Sequence, residues 1–353
     1  MPRADSYAYA IAYVRALRSR LISNEQYETL LKAKDDYEVL RYLSDTVYGS
    51  YLSEYSGRSL SLSEVDSLVF KDYYNVLREL IGARTTELAR QMLEMMYMRH
   101  ELSCLKSIMR LVLAGRTSEP SLPQVPLIGR FTPGYVSRLL KSRDLRQLFQ
   151  EINEPQVRVI VLDRVAECEE IHSTVPAEMA IDRYYLSSLW SLTGKLENWD
   201  KEPAREIVGT EIDVANIGLI LRGKFLGMSF STIRDLAIPV RYRLNLEVDS
   251  AIEAATVFEA MQTLSSGEYG PVISAARSEC ERQSSLLPLE LALKRHFVQR
   301  CSRAFVGYPF GIGPLLAFIS LKYLEALDIR TILLGKREKK PADSLRHLLI
   351  SIS

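Results

Sequence analysis

Apolar residues recur three and four positions apart over most of the chain. YEVLRYL (37–43), LARQMLEMMYMRHELSCLKSIMRLVL (88–113) and LLAFISLKYLEALDIRTILL (315–334) are the clearest stretches. That period marks helices with one buried face. Their Leu, Glu, Lys, Arg, Met and Ala content also favours helix. VRVIVL (Val157–Leu162) is the best strand candidate, with β-branched residues and partial alternation. A lone strand has nothing to pair with, so this segment reads as helix too. Pro and Gly concentrate at 119–134, which reads as a linker, and at 307–314, which reads as a turn into a helix with Pro314 near its start.

The pattern repeats. Glu101–Val112, Asp213–Lys224 and Glu325–Lys336 align at successive spacings of 112 residues. An acid opens each copy (Glu101, Asp213, Glu325). Three apolar columns follow: Leu105/Ile217/Ile329, Ile108/Ile220/Ile332 and Met109/Leu221/Leu333, all on one helix face. A second window repeats at 109 and 109, with Asp35, Asp144 and Glu253 ahead of apolar pairs Val39-Leu40, Leu148-Phe149 and Val257-Phe258. A third aligns Phe70–Tyr74, Ile181–Tyr185 and Leu293–Phe297 at 111 and 112. Three windows in one order at nearly one spacing define three homologous units, 1–115, 116–228 and 229–353. Each is large enough to own a small core. An all-α protein with three units around a pseudo-threefold axis is the natural arrangement; three units in a row is the other.

Unit one departs from the pattern. Cys104, Leu111 and Val112 stand where the others have Asn216/Asp328, Gly223/Gly335 and Lys224/Lys336. With Arg110, Arg222 and Arg330, the polar positions Glu101, Asp213, Asn216, Gly223, Lys224, Glu325, Gly335 and Lys336 form the repeat signature. They are structural positions and candidate partner contacts.

Of 353 residues, 45 are basic and 44 acidic, a balance that argues against nucleic acid as the main ligand. The first ten residues lack a signal-peptide core. The apolar run Pro309–Leu321 is too short to span a bilayer. No Cys or His spacing forms a metal motif, and isolated thiols fit a reducing compartment. Gly307, Gly311 and Gly313 do not make a phosphate loop, because Pro314 stands where Lys is required. Gly335-Lys336 is followed by Arg and reads as a helix C-cap, and Lys336–Lys340 as favourable charge at a helix end. His296 and Cys104 read as packing residues, and Glu167, Glu169 and Glu170 as a solvated face. The 19 tyrosines read mostly as core-edge residues with wet hydroxyls.

EIDVANIGLILRGK (Glu211–Lys224), PFGIGPLLAFISLKYLEALDIRTILLGK (Pro309–Lys336) and DYEVLRYLSDTVYGSYL (Asp36–Leu52) resemble the signatures of the family of C subunits of V-type/A-type ATP synthases, related to the d subunit of vacuolar ATPases. The resemblance implies an all-helical funnel with a central cavity and no catalytic site or cofactor. It also implies a monomer on the cytoplasmic face of the membrane. The implied partners are the central-stalk subunits and the membrane rotor ring; contact of the basic run Lys336–Lys340 with acidic partner loops or the membrane surface is the second reading of that run, after favourable charge at a helix end. The chain's function would then be to pass torque between ATP turnover and proton or sodium translocation. A generic scaffold gripping a helical partner is the alternative. An enzyme with a site between the units would need a cluster of polar residues that break the repeat, and the sequence offers none.

Overall fold

The computed structural model describes residues 4–52, 60–115, 127–306 and 309–352. Residues 119–126 of the expected linker and 307–308 of the expected turn lie outside these. Every regular element among the described residues is a helix. The segment Pro155–Leu162 is helical, as its isolation predicts; Pro155 starts it and Val157 and Val161 are buried. Start signals are local: Ser23, Asp35, Ser61, Thr86, Thr132, Asp144, Ser229 and Thr256 each accept the third helical N–H with their side chain.

Six long helices organise the molecule as three hairpins: α5 (Leu62–Gly82) with α6 (Glu87–Leu113), α11 (Val175–Gly194) with α12 (Asn198–Phe225), and α17 (Leu287–Arg303) with α18 (Ile312–Arg337). Each hairpin also packs on the next. Helix α6 lies on α11, α12 on α17, and α18 returns to α5, so the contacts close on themselves. Helices α12 and α18 also touch, where Gly313 leaves room for Pro203.

The remaining helices are mostly short. They are α1 (Ala4–Arg18), α2 (Asn24–Lys32), α3 (Asp36–Leu43), α4 (Gly49–Leu52), α7 (Pro133–Leu140), α8 (Leu145–Gln150), α9 (Pro155–Leu162), α10 (Val165–Glu170), α13 (Phe230–Leu236), α14 (Glu247–Glu253), α15 (Val257–Leu264), α16 (Gly270–Gln283) and α19 (Ala342–Leu348). Helix α1 packs along α18, and the others form three heads, each seated on the C-terminal half of a long helix. Helices α7 and α8 sit on α6, and α13 and α15 on α12. The first head, with α3, sits on α18 from the far end of the chain. All nine residues of the three apolar columns are buried, and they are the seats. Ile329, Ile332 and Leu333 share one core with Leu30, Leu31, Val39 and Leu43; Ile217, Ile220 and Leu221 share another with Ile233, Met261 and Leu264. Burying each such side chain contributes about 1.5–3 kcal/mol.

Two readings of the sequence change here. In the second window the third copy sits one helical turn later: Thr256, not Glu253, caps α15 as Asp35 and Asp144 cap α3 and α8. Ala260 and Met261 then take the buried positions, while Phe258 is exposed. In the first window Gly335 and Gly223 are not caps. Both lie inside their helices, where an added Cβ would press into Leu345 of α19 and Ile233 of α13. Unit one has Leu111 at this position. The left-handed turns that end these helices fall at Gly115 (φ 66°), Gly227 (φ 71°) and Lys339 (φ 58°), again 112 residues apart.

Gly335→Val should lower stability by about 1–3 kcal/mol through overpacking against Leu345, whereas Gly82→Ala, with no neighbour in reach, should be neutral or better; urea unfolding followed by circular dichroism checks both. Lys339→Gly should raise stability, by up to about 1 kcal/mol, because glycine adopts positive φ without the Cβ penalty.

Candidate functional site

The polar signature residues face backbone. Glu101 accepts the Arg130 N–H (2.9 Å) and a fork from the Arg130 guanidinium (2.9 and 2.5 Å). Asp213 accepts the N–H groups of Tyr242 (3.0 Å) and Arg243 (2.7 Å) and the Tyr269 hydroxyl (3.1 Å). Glu325 accepts the Ile22 N–H (2.6 Å), the Tyr48 hydroxyl (2.8 Å) and the Lys322 ammonium (2.8 Å). Each acid thus pins the strand of chain that enters the head seated on its helix. One turn on, Asn216 accepts the Ile238 N–H (2.9 Å) and donates to the carbonyls of Ile238 and Val240, both at 3.2 Å. Asp328 accepts the N–H groups of Ile350 and Ser351, each at 2.7 Å. In unit one the buried Cys104 faces the Ile128 backbone instead. Burial pushes the carboxyls of Asp213 and Asp328 up against these donors.

The lysines that close the signature do the same work for carbonyls. Lys224 donates to Ile252 (2.9 Å) and Ala254 at the end of α14, and Lys336 to Leu31 (2.6 Å) at the end of α2. Burial lowers both ammonium groups. The basic run at 336–340 is therefore only partly a solvated helix end, since Lys336 is buried and Arg337 pairs with Asp36 at 3.0 Å.

The arginines of the signature bridge neighbouring hairpins. Arg110 forks onto Glu178 and Arg330 onto Asp66, while Arg222 stands 3.6 Å from Glu290. Tyrosines run deeper than expected: Tyr7, Tyr27, Tyr48, Tyr73 and Tyr269 are at most 1% exposed. Four of these five bond to Asp200, Glu325, His100 and Asp213. Cys104 and Cys168 are pushed up to about 12 and 11 by burial, so they are inert thiols. His296 stacks edge-on against Tyr269.

A column that sequence reasoning overlooked lies two residues before the acids. Arg99, Glu211 and Tyr323 are 112 residues apart and meet. Arg99 forms an ion pair with Glu211, and its guanidinium lies 5.7 Å from the Tyr323 ring centre. Ser103, Ala215 and Leu327, one turn on, line the same cavity of about 330 Å³. The signal was present, because the 112-residue register extends upstream of the repeated windows. At the other end of these helices Asp200, in the first turn of α12, caps α18 by accepting the Ile312 N–H (2.8 Å), and Tyr7 binds both Asp200 (2.8 Å) and Thr86 (3.0 Å). The beginnings of α6, α12 and α18 are thereby tied together.

Equivalent residues of α6, α12 and α18 thus meet at the wall of one cavity. The family model for the ATP synthase (C/AC39) subunit matches residues 10–348. The chain belongs to that family. It is 23% identical over 350 residues to the C subunit of the A-type ATP synthase of Methanocaldococcus jannaschii, covering 98% of this chain and 86% of that protein. It is 24% identical to the C subunits of the A-type ATP synthases of Methanosarcina acetivorans (99% and 94% covered) and Haloferax volcanii (97% of each). Members of the family are accessory rather than catalytic subunits of a membrane-associated ATP synthase, and the ion transport and ATP synthesis belong to the complex. Partners of this family member therefore lie within the rotary complex. Among the described residues no helix is long and apolar enough to cross a membrane.

Two measurements follow. Asp328→Ala leaves the buried Ile350 N–H and the half-buried Ser351 N–H without their acceptor and should cost about 1–3 kcal/mol for the buried one and less for the other, read by urea unfolding. Glu206, Glu268, Arg243 and Arg300 form a closed ring of four ion pairs, from 2.5 to 3.2 Å. Burial pushes both carboxyls up, but the hydrogen bonds from Tyr242 and Arg243 to Glu206, and from Arg243 and Arg300 to Glu268, outweigh it and hold both below the ordinary value. A carboxyl lowered in the folded state stabilises above its unfolded value of about 4.3, and that stabilisation is lost as pH falls through the folded value. The melting temperature should drop on acidification below that point, and Glu206→Gln with Glu268→Gln should flatten the drop.

Proposed function

We propose that this chain is the rotor adaptor of an archaeal-type rotary ATPase, seated between the central stalk and the membrane rotor ring on the cytoplasmic face. Its units 1–115, 116–228 and 229–353 stand around a pseudo-threefold axis as a funnel. The observation that carries this reading is the meeting of Arg99, Glu211 and Tyr323, one repeat position from each unit, at the wall of a central cavity. Residues related by a threefold axis approach one another only near that axis.

The mechanism is mechanical. Torque entering the cavity is carried by six packed helices, and what resists it is the stiffness of the closed contact circuit. The signature positions serve that stiffness: Asp213, Asn216, Asp328 and Lys336 are spent on backbone within the chain. The cavity wall and the outer ends of the hairpins are left for partners. Complementary charge and shape there prevent slippage. The partner in the cavity is the foot of the central stalk. The ring, carrying protons or sodium ions, lies at the opposite face.

The purified protein should co-elute with the purified central-stalk subunits of the same complex at one-to-one stoichiometry on size exclusion. Failure to co-elute, both alone and with the detergent-solubilised ring present, would leave a helical scaffold that merely shares the fold.

A further inference from the structure

The three seams around the central cavity are not equivalent, and the difference lies in two repeat columns. At the first seam Lys106 of α6 pairs with Asp182 of α11 at 2.5 Å, beside the forked Arg110–Glu178 pair. At the seam from α18 to α5, Arg330 stands at the position of Lys106 and pairs with Asp66, while Lys71 stands at the position of Asp182 and lies beside the Tyr51 ring; Lys322 pairs with Asp72 (2.7 Å) close by. At the seam between α12 and α17 the residue equivalent to Lys106 is Gly218, and the residue equivalent to Asp182 is Lys294.

The glycine changes what its neighbours do. With no side chain at 218, the Arg222 guanidinium folds back along its own helix. Its Nε donates to the Gly218 carbonyl (3.1 Å), and its Nη2 lies 3.2 Å from where a Cβ on residue 218 would be. So placed, Arg222 stays 3.6 Å from Glu290, whereas its counterpart Arg110 grips Glu178 through two nitrogens. Lys294 has no hydrogen-bond or ion-pair partner among the described residues. Both Arg222 and Lys294 line the cavity, and so does Gly218. The α12–α17 wall thus presents two cations to one loosely held carboxylate, because Glu211 on the same wall is taken by Arg99. Tyr185, 2% exposed, also contributes to the cavity lining, and its buried hydroxyl has no hydrogen-bond partner among the described residues.

From this we infer that the α12–α17 seam is a keyed position, where Lys294 and Arg222 receive a carboxylate side chain of the partner that occupies the cavity. This rests on the socket reading above and adds the angular register to it. A threefold socket offers an asymmetric stalk three orientations of nearly equal fit. One seam with an unspent positive charge, beside two whose charges are already paired, selects a single orientation. Specificity of this kind comes from complementary charge at one place and its absence at the others.

The test uses the full-length protein and the purified central-stalk subunits. Zero-length carbodiimide coupling of the complex joins an amine to a carboxylate only where they touch. The expected product is a peptide containing Lys294 linked to an Asp or Glu of the stalk. In parallel, calorimetric titration should show Lys294→Glu weakening binding at least tenfold, with a smaller loss at raised salt. Lys71→Glu, at the same repeat position in unit one but beside Tyr51, should change it less than twofold. Unchanged helical circular dichroism and melting temperature exclude a folding defect. If the wild type binds but Lys294→Glu behaves like Lys71→Glu, or the linked peptide carries Lys106 and not Lys294, the keyed seam is wrong and the socket stands. If the wild type does not bind, either alone or with the detergent-solubilised ring present, the socket reading falls and the key falls with it.

Discussion

A carboxylate buried in the middle of a long helix is expensive unless hydrogen bonds meet it, and α6, α12 and α18 each carry one. Glu101, Asp213 and Glu325 each take backbone N–H groups from the segment that leads into the head seated on their own helix. The arrangement is directional. A carboxylate accepts but does not donate, so it fixes which backbone edge faces it, and the apolar columns one and two turns further on then meet the right partners. Sliding a head by one residue would strand a buried charge together with the N–H groups it accepts, one each at Glu101 and Glu325 and two at Asp213. The cores under the heads supply most of the driving force, whereas these polar clamps select the register in which that force acts.

Much of this could be seen in the sequence because each clamp is a polar residue at a fixed offset from an apolar stripe. The helical class followed from the three-and-four spacing, and the 112-residue register exposed the signature helices. What the sequence hid was pairing across distance. Nothing in Glu325 or Lys336 says that their targets are Ile22 and Leu31, some 300 residues upstream. The shifted third copy of the second window has a similar cause: Glu253 and Thr256 can each stand ahead of a helix, and only burial of Ala260 and Met261 rather than Phe258 separates the two registers. A glycine near a helix end is most often a cap; Gly335 is instead a point of close approach for α19, which only the folded chain reveals.

Repetition with variation also explains why some positions carry information about partners and others do not. Where the three copies agree, as in the apolar columns, the residue serves the unit. Where they differ and yet meet, as at Arg99, Glu211 and Tyr323, the copies have been made complementary, and identical residues would have repelled or left a void. Gly218 differs from Lys106 and Lys294 from Asp182, and among the described residues this pair of positions makes no contact of the kind Lys106 and Asp182 make. That residual mismatch is the kind of feature an internal packing argument leaves over.

The first head has no long helix of its own to sit on until the chain is nearly finished. Its core residues, from Ile22 to Val69, are completed by Ile329, Ile332, Leu333, Leu345 and Leu349. At synthesis rates of roughly 5–20 residues per second, the wait between the two is on the order of 10–50 s. During that interval an apolar face is exposed on a segment too small to bury it alone. Closing the circuit is therefore the last folding event available to a growing chain, and a chain cut short before α18 leaves its beginning unfolded as well as its end.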